Sequence, residues 1–386
     1  VRPRAEGPGR TDPEETDEMA VTLADVAARA GVSAATVSRV LNGNYPVAGS
    51  TRERVLRAVD DLHYVVNGHA RALAAATSDL VGVLVNDVAD PFFGLIASAV
   101  QGEISGGAEQ PSGLPAGTGK LAVVCNTGGS PEAELNYLTL LERQRAAGVV
   151  LTGGAVEGTG HSTAVAGRLA RLSASGTRIV LCGRPPVPEL ADIAGPAADS
   201  VMTVAFDNRG GAQRLTEHLL ALGHRTIGYV AGPAERSTTR HRLEGHRAAL
   251  AEAGLAGSPA ELDRLTVHGY YDRSSGYDAA LELLRREPAL TAVVAANDTV
   301  ALGVCAALRE RGLRIPEDVS VAGFDDLPFS VDAAPALTTV RIPLQEAGAR
   351  AGRLVMGRQA APPGGLATVR TELMVRASTA APRKGA

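Results

Sequence analysis

From Leu80 onward the chain repeats one pattern, and that pattern limits the fold more than any other feature. Short apolar runs (LVGVLV, LAVVC, GVVLTG, RIVLCG, TIGYVAG, LTVHG, AVVAAN and VSVAGF) alternate with amphipathic stretches at 92–104, 131–147, 209–222, 240–254, 274–286 and 299–311. Apolar runs without polar alternation suit strands covered on both faces, and the stretches between them have the length and periodicity of crossover helices. Such β-α alternation requires parallel sheets with helices on both faces. There are enough units for two sheets, so the expected class is α/β and doubly wound. The Gly/Pro-rich segment 105–119 (SGGAEQPSGLPAGTG) breaks the alternation and reads as a loop between a helix and the next strand.

The N-terminal region has a different texture. Residues 1–18 hold three Arg, six Asp/Glu, three Pro and two Gly with almost nothing apolar, a composition that cannot offset its ordering entropy. Met19 follows, and the natural start is expected there rather than at Val1. Residues 20–64 read as three short helices. The first, Leu23–Ala30, is capped by Thr22 with Asp25 three residues on, a variant of the capping box, and Gly31 permits a tight turn. The second, Ala34–Leu41, is capped by Ser33 and ends at Asn42-Gly43. The third, Thr51–His63, has Ser50 and Glu53 in S-x-x-E spacing. Val26, Val37, Val40, Val55, Leu56, Val59 and Leu62 recur at helical spacing and suffice for one small core. Residues 65–78 are Ala-rich and read as a linker able to form one short helix.

Composition removes several classes of function. A formal net charge of -4 on 386 residues argues against a chain coated by nucleic acid along its length, while allowing a small DNA-reading module. Cys125, Cys182 and Cys305 form no C-x-x-C pair and no disulfide framework, so buried thiols in a reducing cytoplasm are expected. No apolar run approaches a membrane span, and no secretion signal core is seen. Enzyme signatures are also missing. There is no H-E-x-x-H, no metal-spaced cysteine pair and no G-x-S-x-G. The string GLPAGTGK fails as a phosphate loop, with Leu114 where the first glycine belongs and Leu121 where Ser or Thr should follow Lys120. No catalytic residue, metal or cofactor is expected.

The segment VTLADVAARAGVSAATVSRVLN at 21–42 is two short helices joined by a glycine turn, the helix-turn-helix arrangement whose second helix enters the major groove. That helix presents Ala34, Ala35, Thr36, Ser38 and Arg39. Arg39 can donate two hydrogen bonds to guanine O6 and N7. Ala34 and Ala35 allow close approach and contact with a thymine methyl. Thr22, Ser33, Thr36 and Ser38 suit phosphate contacts, and Asn42 completes the DNA-facing set. By pattern alone a plain three-helix bundle is the rival, and six Arg against four Asp/Glu over 20–77 does little to separate them.

The wording V-T-L-x-D-V-A-x-x-A-G-V-S-x-x-T-V-S-R-V-L-N closely resembles the signature of the LacI/GalR family of transcriptional regulators. The resemblance continues through NGHARALAAATSDLVGVLV, VAFDNRGGAQRLTEHLLALGHRTIGYVAGP, AANDTVALGV, VSVAGFDDLPFSVDAAPALTTVRIPLQEAG and RTELMVR. It implies a hinge helix in which Leu73 wedges between base pairs of operator DNA and kinks the duplex. It also implies a two-lobed, periplasmic-binding-protein-like core with an effector in the cleft, at the carboxyl ends of the strands. By position in the motifs, Asn86, Phe92 and Phe93 face that cleft from one lobe, and Arg242, Tyr271, Asn297 and Asp325 from the other. Asp, Asn and Arg can each bridge neighbouring hydroxyls and an aromatic ring can cover a sugar face, which favours a sugar or sugar derivative. Arg242, with Arg236 or Arg240 beside it, would also suit a phosphate or carboxylate. Asn297 and Asp325 have turn-capping as a competing role. Of the two phenylalanines one is expected in the cleft and one in the core.

The resulting expectation is a ligand-responsive, sequence-specific regulator, read as a repressor, in the cytoplasm and on the nucleoid. It binds double-stranded operator DNA as a homodimer on a pseudo-palindrome, with no membrane partner. The boundaries read as a disordered tail at 1–19, the headpiece at 20–66, the hinge at 67–79, the core at 80–378 and a second disordered tail at 379–386. A solute-binding protein of the same core fold, a doubly wound enzyme and an architectural DNA protein are the alternatives.

Overall fold

Thr22 starts the first helix by a reciprocal cap. Its Oγ1 accepts from the Asp25 backbone N–H at 3.4 Å while the Asp25 carboxylate accepts from the Thr22 backbone N–H at 2.8 Å. Gly31 ends that helix in the left-handed region at φ 63°, where a side chain would be strained. In the computed structural model, which describes residues 21–42, 46–64, 78–105, 120–158, 160–190, 200–255 and 257–383, the chain divides into two units, Val1–Arg71 and Ala72–Ala386. The 1–19 tail, Leu73 with nearly all of the hinge segment, and residues 106–119 of the inserted loop lie outside the described residues.

The first unit holds α1 (Leu23–Ala30), α2 (Ala34–Asn42) and α3 (Gly49–Asp61). Val26, Val37, Val40 and Val55 are buried together with Ala27, Ala30 and Ala58, and Leu56, Val59 and Leu62 pack partly buried against them. Ser33 caps α2 by accepting from the Thr36 N–H at 3.2 Å. Ser50 does not cap α3. The backbone N–H groups of Thr51 and Arg52 already bond the Ala48 carbonyl, so the helix is running before Ser50 could act. α3 also stops short of His63, which takes the left-handed conformation at φ 48°.

The second unit contains two parallel sheets. Six strands, β1 (Leu80–Val85), β2 (Leu121–Asn126), β3 (Gly148–Thr152), β4 (Arg178–Cys182), β5 (Val201–Phe206) and β11 (Leu366–Val369), run in the order β11-β5-β4-β3-β1-β2. Helices α4 (Pro91–Ser105), α5 (Pro131–Arg143), α6 (His161–Ala174) and α12 (Leu344–Val355) accompany them. The other lobe has β6 (Ile227–Ala231), β7 (Thr266–His268), β8 (Ala292–Ala295) and β9 (Ser320–Ala322) in the order β7-β6-β8-β9. With it go α7 (Asn208–Ala221), α8 (Ser237–Glu252), α9 (Pro259–Arg264), α10 (Arg273–Arg286) and α11 (Asp298–Glu310). β3, β6 and β8 are buried along their whole length, as continuous apolar runs demand. The alternation therefore produces the expected doubly wound pair.

Three features were not foreseen. β10 (Thr339–Arg341) and β12 (Glu372–Met374) form a separate antiparallel pair. β11 returns to pair with β5 from far downstream. The expected tail at 379–386 is instead packed as far as Ala380: His218 Nε2 and Thr379 Oγ1 are 3.0 Å apart, the Ala380 carbonyl lies 2.8 Å from His224 Nε2, and its N–H donates to Ser320 Oγ. These bonds satisfy the backbone of a segment whose composition alone reads as loose. All three cysteines are buried and unbridged.

In each sheet the strand order reverses beside one strand. β1 connects to β2 on one side and lies against β3 on the other; β6 stands in the same relation to β7 and β8. Ligands bind outside the carboxyl ends of strands at such switch points, so the topology alone points at the loops following these strands.

Candidate effector cleft and DNA-facing helix

Those loops converge on one cavity. Asn86 follows β1, Gly153 and Gly154 follow β3, Gly183 follows β4, Tyr271 follows β7, Asn297 follows β8 and Asp325 follows β9, and all of them line it. Asn86, Phe92, Phe93, Arg242, Tyr271, Asn297 and Asp325, the seven residues picked from sequence, are all brought together there. Both phenylalanines line the cavity while also belonging to the buried core, so the expected division of labour between them does not occur. Their rings meet edge to face at 5.0 Å, and Phe206 extends the cluster at 6.3 Å from Phe92. The close fit depends on Gly153, at φ 75°: a Cβ there would come within 2.8 Å of the Phe93 ring.

Arg242 is the hub of the opposite wall. Its Nε donates to Asn208 Oδ1 at 2.8 Å, one Nη donates to the Ala296 carbonyl, and the other donates to Asp325 Oδ1 at 2.8 Å. The guanidinium lies 3.7 Å from the centroid of the Phe324 ring, a cation–π stack. Arg242 and Asp325 are both buried. Burial pushes the Asp325 carboxyl up to about 7 in spite of the arginine, with Asp298 and Asp90 adding to the rise. Desolvation disfavours the charged form and here exceeds the attraction.

Asp325 holds its place at φ 108°, a region costly for any residue but glycine. Asp298 supports it. The Asp298 carboxylate accepts from the Leu327 N–H, Ser330 Oγ and Thr339 Oγ1 at 2.6–2.7 Å, and its backbone N–H donates to the Phe324 carbonyl. Burial raises it to about 6. Asn297 caps α11, its Oδ1 accepting from the Val300 N–H at 2.8 Å, and it also lines the cavity. What it can offer a ligand is its amide N–H donors. Tyr271 is fixed by a 2.6 Å hydrogen bond between its hydroxyl and Thr239 Oγ1.

Asp90, Phe206, Asn208 and Thr238 also line the cavity and were not among the residues singled out, and Arg236, named beside Arg242 as a partner for an anion, lines it as well. Phe206 and Asn208 belong to the VAFDN run at the end of β5, where the strand-end rule could have found them. Arg236 is buried, and its guanidinium donates to the carbonyls of Gly129 and Gly154, across the cleft from its own lobe. Burial and the nearby Arg184 lower its pKa. Arg240 is spent elsewhere, in a two-bond ion pair to Glu157 at 2.7–2.8 Å and a bond to Glu244. The lobes are further joined by reciprocal bonds between Ala155 and Ser237 and by the Glu157 N–H to the Glu235 carbonyl.

In the first unit, α2 turns Val37 and Val40 inward and leaves Ala34, Ala35 and Arg39 exposed, with Thr36 and Ser38 half-buried. Thr22 and Ser33 are engaged as caps, and Ser33 Oγ lies 2.9 Å from Thr36 Oγ1. These hydroxyls therefore order the helix starts whose backbone N–H groups would face a phosphate. Asn42 closes α2. Among the described residues no His/Cys/Asp/Glu group could hold a metal, and no helix is long and apolar enough to cross a membrane.

Comparison with known proteins agrees with this geometry. Residues 22–67 match the family described as bacterial regulatory proteins, lacI family, and residues 216–379 match the periplasmic binding protein-like domain. The chain is 35% identical over 336 residues to the HTH-type transcriptional regulator GalR of Escherichia coli (strain K12), covering 87% of this chain and 88% of that one. Among solved structures it resembles a transcriptional regulator CelR–cellobiose complex, at 33% identity and a TM-score of 0.62, over 93% of this chain and 99% of that one. It also resembles the lac repressor dimer bound to operator and the anti-inducer ONPF, at 27% identity and a TM-score of 0.72, over 94% and 100% of the two chains.

Proposed function

Because the chain belongs to the lacI family of transcriptional regulators, and so is a regulator rather than an enzyme, we propose that it represses transcription by binding a pseudo-palindromic operator as a homodimer. We further propose that a sugar or sugar derivative in the core cleft controls that binding. The observation that carries the reading is the single cavity to which Asn86, Phe92 and Phe93 contribute from one lobe and Arg242, Tyr271, Asn297 and Asp325 from the other. A ligand touching both lobes must bias their arrangement, which is what linkage to DNA requires. The polar set is balanced rather than cationic, since Arg242 is already paired with Asp325. That favours hydroxyls over a phosphate, and the CelR relative was solved with cellobiose.

On the DNA side, Arg39 reads a guanine, Ala34 and Ala35 set the approach, and Thr22, Ser33, Thr36, Ser38 and Asn42 position the helix on the backbone. Leu73 wedges the central step. Two half-sites require two headpieces. The exposed Leu121, Val123 and Val124 of edge strand β2 offer apolar surface suited to a second copy. The protein acts in the cytoplasm.

Selection of bound duplexes from a random pool, at fixed near-physiological salt, tests the reading. An enriched pseudo-palindrome with a kinkable central step is expected. Enrichment of an unpaired single half-site would refute the dimer, and binding with no sequence preference would favour an architectural role.

A further inference from the structure

The cleft cavity continues outward. Its inner part has room for about 50 Å³, whereas pockets for small molecules occupy roughly 300–1,000 Å³. An adjoining vestibule holds about 440 Å³, and Asn86, Asp90, Phe93, Arg236 and Tyr271 face both spaces. A ligand held by Arg242 and Asp325 and filling a space of ordinary size therefore extends into the vestibule.

The vestibule wall carries Tyr270, 72% exposed beside the half-buried Tyr271. Its ring belongs to none of the buried clusters among the described residues. An aromatic ring left in water at a cavity mouth is a platform for the apolar face of a second ring. The charges around it select what that ring carries. Asp87, Asp90, Glu235 and Asp272 line the vestibule, and among the described residues Arg236 is its one cation. Arg236 already donates to two carbonyls. Asp87, Asp90 and Asp272 each use Oδ1 on a local backbone N–H, so the second carboxylate oxygen is the acceptor for a ligand hydroxyl. A phosphate or carboxylate would meet an excess of negative charge there.

Resting on the sugar reading above, we infer that the effector is an uncharged saccharide of at least two rings. The first ring enters the inner cavity against Arg242 and Asp325 and projects outward past Phe93 and Tyr271, and the next lies on Tyr270 in the vestibule.

Calorimetric titration of the purified full chain with glucose, galactose, xylose, cellobiose, maltose, lactose, xylobiose and glucose 6-phosphate tests this. At least one disaccharide should bind about tenfold or more tighter than its component monosaccharide and than the phosphate ester. Tyr270→Ala should weaken that disaccharide about three- to tenfold and leave monosaccharide binding unchanged, while Tyr270→Phe restores it. A monosaccharide binding as tightly as any disaccharide, or indifference to Tyr270→Ala, would overturn the outer subsite and leave the sugar reading standing. Tightest binding by glucose 6-phosphate would overturn the uncharged class. Binding by none of the eight would take the sugar reading down as well.

Discussion

Replacing Asp325 by Ala removes one member of a buried ion pair, and the structure sets both the size and the pH dependence of the result. Breaking a buried pair by deleting one partner costs roughly 3–5 kcal/mol, because the other charge is left uncompensated. Arg242 would retain Asn208 Oδ1, the Ala296 carbonyl and the Phe324 ring, while Ala keeps a Cβ at φ 108° and so leaves the backbone strain unchanged. The cost at pH 8 should therefore lie at or below the low end of that range, about 2–3 kcal/mol. The Asp325 pKa is raised to about 7 in the fold, burial being the largest cause, against about 3.9 for an unfolded aspartate. A group so raised stabilises most below its unfolded pKa, and that contribution is lost as pH rises through 7. The difference between wild type and Asp325→Ala should accordingly be larger at pH 5.5 than at pH 8. Urea denaturation followed by far-ultraviolet circular dichroism at the two pH values measures it. A cost that grows with pH would mean that Coulomb attraction rather than burial governs Asp325, and a cost under about 0.5 kcal/mol would refute the buried hub.

Three further outcomes are expected. Arg39→Ala should cost about 1–3 kcal/mol on the selected operator and relax preference at one guanine; equal weakening on all sequences, read by titration at one salt concentration, would refute base readout. Gly153→Ala places a Cβ at φ 75° and 2.8 Å from Phe93, which should destabilise the core by about 1–3 kcal/mol and weaken saccharide binding; an unchanged urea midpoint would contradict the close packing. Glu157→Ala removes the exposed inter-lobe pair with Arg240. It should change stability by under about 1 kcal/mol while altering saccharide affinity measurably by calorimetry, and no change in affinity would separate that contact from lobe closure.

Much of this architecture is legible before any coordinates, because apolar period and strand-end position are local properties. The resemblance to the LacI/GalR motifs places Asn86, Asn297 and Asp325 at the cleft, which agrees with strands that end at Val85, Ala295 and Ala322, and the Thr22–Asp25 box is a three-residue signal. What escapes depends on distant partners. β11 is four residues long with a mixed burial pattern, and nothing in LATV specifies β5 as its neighbour. The pairing of Arg242 with Asp325 spans 83 residues, so sequence left Arg242 looking available for an anion when Asp325 already accepts one of its Nη groups. Asp298 carried no reading in the sequence, yet its carboxylate clamps the strained Asp325 loop through Leu327, Ser330 and Thr339. Ser50 had the right spacing for a cap, but bonding to the Ala48 carbonyl starts α3 two residues earlier. Tyr270 and Tyr271 are adjacent and chemically identical; only their exposure, one open and one half-buried, separates the wall of the inner cavity from the platform outside it.

The most direct test of a sugar-controlled DNA reader is reciprocal titration: the Kd of the selected operator with and without the tightest saccharide, and the Kd of that saccharide with and without operator. Linkage predicts that both constants shift by the same factor, of about 5–150-fold. Operator affinity that is indifferent to saturating saccharide, with saccharide affinity equally indifferent to operator, would contradict the account.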